Sequence, residues 1–238
     1  MPIAPLPKYV DRFFAASFEL TSIQQAQDRD GQSLFTFLEA LHSLADRFVA
    51  EYGVRLHDVP EFVLLGVVRN YMHHVGDLTE FRLSIVPSDE FIPGTSQQII
   101  IAASQVAASI ANYRSRAGKS PKRRDECERR LSLILEFADC EPLLSQTDQF
   151  VPHAKLKLDG RVYDLGYDLF KAIYNVTNVV ADICRETPSL CETAFVQQID
   201  TTVTASNNLP KYCLTARAGV DPILTTRGFV VASRIERA

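Results

Sequence analysis

Arg69, Asn70, His73 and His74 close an otherwise apolar run that begins FVLLGVV at Phe62. Arginine offers a planar, permanently charged fork for phosphate oxygens. Histidine titrates near neutrality and can take or give a proton. Asn70 can hydrogen-bond and orient a neighbour without adding charge. Arg69 and His73 stand one helical turn apart, and His74 falls in the last turn, where helices fray. Either imidazole can therefore reach a phosphate that Arg69 grips. A helix C-terminus also favours the protonated imidazole. Together these groups suffice for metal-free RNA cleavage. A histidine would activate the 2′-hydroxyl or protonate the leaving oxygen, and an arginine would offset the charge of the pentavalent phosphate. The structural alternative is that Arg69 and Asn70 cap or salt-bridge a neighbouring loop and the histidines only tie a buried helix end to water.

The element that must carry these groups is a helix over about 59–75. Asp58 is placed to N-cap it, Pro60 suits its first turn, and Glu61 stands three residues after Asp58 as in a capping box. Gly76-Asp77 ends it. On a helical wheel, Leu64, Leu65, Val67, Val68, Tyr71 and Met72 share one broad side. Gly66, Arg69, Asn70, His73 and His74 fall on the other. A glycine inside a helix costs up to about 1 kcal/mol relative to alanine. Close approach by another backbone or a ligand would offset that cost, and a helix of a second copy of the chain could pack there.

Arg69, Asn70 and His74, with four residues between the arginine and the last histidine, make a pattern that resembles the HEPN superfamily (higher eukaryotes and prokaryotes nucleotide-binding domain). That family's motif is Arg, four to six residues, then His, commonly with Asn, Asp or His straight after the Arg. His73 is one residue too close and maps to no family position. The resemblance covers about one helix. Of the histidines 42, 57, 73, 74 and 153, only His74 has an arginine five to seven residues before it. The resemblance implies a metal-independent endoribonuclease without cofactor, a toxin or antiviral effector that works as a homodimer. Arg69 would hold the scissile phosphate, His74 would be acid or base, Asn70 would orient, and His73 could stand in for His74. RNA is the implied partner, and a neutralising or regulatory protein is a second one.

The basic run RSRAGKSPKRR supplies Arg114, Arg116, Lys119, Lys122, Arg123 and Arg124 with no acid among them. It reads either as a loop that tracks RNA phosphates or as a solvated helix–helix connection. Its GKS is not a phosphate loop, because Tyr113 holds the place of the earlier glycine. RRDECERR alternates sign and reads as an exposed, ion-paired helix face. Asp125, Glu126 and Glu128 have no metal-ligand partners at sensible spacing, so no metal is expected. His42, beside an apolar stripe, reads as structural. His57 reads as surface, and His153 is isolated.

The rest of the chain reads as mainly α, a helical bundle with one small β-hairpin near 155–165. Helices are expected over Lys8 to Leu20, over a stripe from Leu34 to Phe48 that stops at Gly53, from Thr95 or Ser96 to about Arg116, over Lys122 to Asp139, and over Tyr167 to Glu186. Residues 81–93 read as loop or short strand. KLKLDGRVYDL places Asp159-Gly160 between alternating residues, the preferred pair of a tight hairpin turn. Residues 1–190 form the expected helical domain, and 191–238 an irregular extension packed on it. Charged residues make up 23% of the 238-residue chain and the net charge is −4, so nucleic-acid binding has to be local. Five cysteines without a CxxC read as reduced thiols of a cytoplasmic protein. The first residues carry no basic patch followed by an apolar core, so no secretory signal is expected, and no membrane contact either. From a different class, the same features fit a catalytically silent helical scaffold or an RNA- or protein-binding module, with the flank around Gly66 as its dimer interface.

Overall fold

A computed structural model describes residues 5–21, 32–78, 80–84, 91–92, 97–138, 155–158, 160–210, 216–217, 223–230 and 236–237. The molecule is mainly α. Its long helices are α1 (Leu6–Thr21), α2 (Gln32–Tyr52), α3 (Pro60–His74), α4 (Ala103–Arg116), α5 (Pro121–Ala138) and α6 (Phe170–Glu186), followed by the short α7 (Pro188–Cys191) and α8 (Ala194–Gln198). Among the described residues, no helix is long and apolar enough to cross a membrane.

The apolar periods place α1 and α2 against each other. Leu34, Phe37, Leu38, Leu41, Leu44, Ala45 and Phe48 of α2 are all buried. The Phe13 ring meets the rings of Phe14 and Phe37 at centroid distances of 5.1 and 5.6 Å. Gly53 follows the last turn of α2 with φ +68°, a conformation glycine adopts without a steric cost.

α3 runs through the centre. Every residue from Glu61 to Val68 is buried, so its first half has no exposed flank, and Glu61 is its one polar side chain. A helix buried all round belongs inside a core, and α2, α4, α5 and α6 all pack on it. The amphipathic wheel holds only from Arg69 onward. Pro60 takes the first helical position, but the N-cap is Val59, with no side-chain cap. The expected capping box does not form. Asp58 lies in a 3₁₀ turn and accepts from Arg129, while Glu61 is buried and accepts from Asn175 Nδ2 at 2.9 Å. Both acids have found partners from distant helices.

The expected hairpin is present as β4 (Lys155–Leu158) and β5 (Arg161–Asp164), with Gly160 in its turn at φ +76°. More strand exists than the sequence suggested. Gln97–Ala102 is not the start of a helix but strand β3, the centre of an antiparallel sheet with β1 (Glu80–Ser84) and β6 (Gly166–Asp168). Helix α4 begins only at Ala103. Likewise Tyr167 and Asp168 lie in β6 rather than in α6. The Asp168 carboxylate accepts from the backbone N–H of Phe170 at 2.9 Å and of Ile99 at 3.0 Å, which starts α6 and pins it to β3. Two-residue strands β2 (Phe91–Ile92) and β7 (Ala216–Arg217) pair with each other, as do β8 (Ile223–Thr225) and β9 (Gly228–Val230), while β10 (Glu236–Arg237) adds to β4.

Residues 200–209 are strapped to α6 by polar side chains. Arg185 donates to the carbonyls of Val203 and Asp200, and Asp182 accepts from Thr204 and the Ala205 N–H. Asn175 bonds both backbone groups of Leu209 and reaches across to Glu61.

Candidate functional site

The second half of α3 emerges from the core beside α4 and α5. Arg69 leans toward α2, where its guanidinium makes a two-pronged ion pair with Glu39: Nε to Oε1 at 2.7 Å and Nη2 to Oε2 at 3.2 Å. That hydrogen-bonded pairing holds the Glu39 carboxyl below its ordinary value. The partner is thus a helix, not a loop. His73 and His74 are exposed and stack in parallel, with ring centroids 4.8 Å apart and planes 9° from parallel. Slight desolvation, followed by the positive charges of Arg116, His73 and Arg69, pushes the His74 imidazole below the ordinary histidine value. At neutral pH it is a base.

A groove of about 600 Å³ runs between α3, α4 and α5; Asn70 reaches it from α3, whereas Arg69, His73 and His74 are not among the described residues that line it. Asn70, Arg116, Lys122, Arg123 and Arg130 line it, with Glu126 as its acid. Of the basic run, Arg116, Lys122 and Arg123 therefore reach the groove. Arg114, Lys119 and Arg124 do not line it. Arg114 is paired with Glu128 at 2.9 Å, Lys119 is exposed, and Arg124 donates to the Lys119 carbonyl at 3.0 Å. The alternating-sign face of α5 is ion-paired as its pattern suggested. Glu126 bonds Arg129 and Arg130, which pulls its carboxyl down to about 2.

A smaller chamber of about 180 Å³ lies further in and shares Asn70, Tyr113 and Arg130 with the groove. Its walls hold two histidines that sequence reasoning set apart from the site. His42 is structural in the expected sense: its ring stacks on Phe62 at 4.9 Å, and its Nδ1 bonds the Leu38 carbonyl at 3.2 Å. His57 was expected at the surface, yet it is half-buried, edge-on to Phe62 at 5.2 Å. Burial lowers both imidazoles, aided by Arg69 at His42 and by Arg130 at His57. No local signal marks His57, because Phe62, Tyr113 and Arg130 come from other elements.

Gly66 also resolves differently from its expected role. It is buried, and a Cβ there would stand 3.2 Å from His42 Nε2. The close neighbour is a side chain of α2, so Gly66 cannot present a dimer interface.

Among the described residues, no three His, Cys, Asp or Glu side chains group as metal ligands would. Cys127 and Cys184 are buried free thiols, and Cys191 is a partly exposed one. His153, Cys140 and Cys213 lie outside the described residues. Compared with protein-family models, with curated proteins and with solved structures, the chain matches none.

Proposed function

We propose that the chain is a metal-independent endoribonuclease of HEPN type, whose substrate strand lies along the groove between α3, α4 and α5. The observation that carries this reading is one juxtaposition. Exposed His74 stands within electrostatic reach of Arg69 and Arg116, and Arg116 also lines the groove, whose other cations among the described residues are Lys122, Arg123 and Arg130. A base, fixed positive charge and a phosphate track are what the reaction needs.

In the proposed step, His74 removes the 2′-hydroxyl proton. The 2′-oxygen attacks phosphorus, the bond to the 5′-oxygen breaks, and that oxygen leaves with a proton from a second imidazole. The products are a 2′,3′-cyclic phosphate and a 5′-hydroxyl. His73 and His74 stack as one unit, so a homodimer that brings in the partner's pair supplies acid and base separately. Asn70, at the groove wall, orients the strand. A toxin or antiviral role in the cytoplasm, with a neutralising protein partner, follows from the HEPN resemblance alone.

One observation favours a second reading, an RNA-binding module that does not cut. Glu39 occupies the guanidinium fork of Arg69, so the phosphate clamp is already filled.

Incubating wild type, Arg69→Ala and His74→Ala with labelled RNA in excess EDTA separates the two. Ribonuclease activity predicts cyclic-phosphate ends from wild type and a loss of about 10²–10⁴-fold in His74→Ala, with the unfolding midpoint unchanged. Binding without cutting in wild type would establish the second reading. Cutting that survives both substitutions would remove the motif from the chemistry.

A further inference from the structure

The small chamber behind the groove is walled by rings and neutral imidazoles. We propose that it is a nucleobase pocket: one base of the RNA strand turns inward against the half-buried His57 ring and the Asn70 amide, with buried Phe62 behind them in the wall, while its phosphates stay on the outer groove. This proposal rests on the RNA reading above and deepens it by naming what selects the nucleotide.

Size points to a single ring system. Drug-sized ligands occupy sites of roughly 300–1,000 Å³. The outer groove falls in that range at about 600 Å³, and the inner chamber falls below it at about 180 Å³. Charge sorts the two ends of a nucleotide. Phosphates are costly to bury without partners, and the groove holds them on Arg116, Lys122 and Arg123. Among the described residues, Arg130 is the only cation of the inner chamber, and Glu126 already engages it at 2.7 Å.

Edge chemistry fits as well. The carbonyl of Leu38 can only accept, so Nδ1 of His42 carries the proton and Nε2, on the Gly66 side, is an acceptor. The Asn70 amide offers a donor and an acceptor at the junction of the two chambers. Bases splayed from single-stranded RNA are held in this way, by stacking on aromatic and imidazole rings with hydrogen bonds to their edges. Gly66 keeps the floor open, since a methyl there would press on His42.

The test is fluorescence anisotropy on the full chain, with a labelled 2′-O-methyl oligoribonucleotide, which cannot be cleaved, and its abasic counterpart of equal length and charge. Wild type should bind the base-bearing strand at least about tenfold more tightly. The ratio should fall to near one in Gly66→Ala and in His57→Ala. Because Gly66 is buried and its variant can fail to fold, half-buried His57 keeps the test decisive. Equal affinity of the two strands in wild type would overturn the pocket and leave the groove standing. A ratio unchanged in His57→Ala would also overturn it. Binding of neither strand would overturn the groove as an RNA site, and the pocket with it.

Discussion

Glu61–Val68 and Arg69–His74 are consecutive halves of one helix, yet they answer to different physics. The first half is buried, with one side walling the small chamber, and its core-facing residues are fixed by volume: Leu64, Leu65, Val67 and Val68 are at most 1% exposed. The second half is more exposed, and charge acts on its residues: Arg69 is held by Glu39, and the cations near His74 lower its imidazole. The buried half is what makes the exposed half useful. A buried stem fixes the backbone of the helix end, so that partners such as Glu39 have only the side chains left to place.

The sharpest way to break this comparison is Leu65→Ala. It should cost about 2–5 kcal/mol in denaturant unfolding, because a fully buried leucine leaves a cavity. A loss well under that would mean the stem is not close-packed.

A pH series tests the stem from its side wall. The folded-state value of His42 is lowered, so above the ordinary 6.5 both folded and unfolded forms are neutral and stability is complete. As pH falls below 6.5, the unfolded chain takes up a proton that folded His42 refuses, and stability is lost until the folded value is reached. His57 acts in the same direction. Thermal midpoints recorded from about pH 8 to about pH 5 should therefore decline, and His42→Gln should flatten that decline.

Glu39→Gln sharpens the exposed half. It releases Arg69 toward the groove, and the salt dependence of single-strand RNA binding should steepen by about 0.7 in log–log slope, one phosphate contact. An unchanged slope would place Arg69 outside the RNA track. The smallest effect concerns thiols. Burial pushes Cys184 up to about 12, so alkylation of the native protein should modify Cys191 and spare Cys184 until the chain unfolds.

The six long helices were largely legible, because amphipathic periods and helix-breaking glycines are local signals. Strand β3 was not. Its Ile99–Ala102 run is apolar throughout, and such a run cannot be told from a buried helix by period alone. What decides it is pairing with β1 and β6, and β6 lies more than sixty residues away. The capping pattern at Asp58 and Glu61 failed for the same reason, since Arg129 and Asn175 claim those acids from across the fold. At the candidate site, the basic run and the α3 motif could be read as types and spacings. Which cations face inward, the capture of Arg69 by Glu39, and the turn of His57 onto Phe62 are products of tertiary packing.

One junction carries a mechanical consequence. Strand β3 passes into α4 without an intervening loop, and the Ala103 N–H is held by the Leu165 carbonyl at 2.8 Å. The sheet is therefore the fulcrum of a stiff lever about 21 Å long, with Arg116 at its tip. A tilt of about 5° at the fulcrum would swing that guanidinium about 2 Å across the groove, enough to make or break a contact with a phosphate.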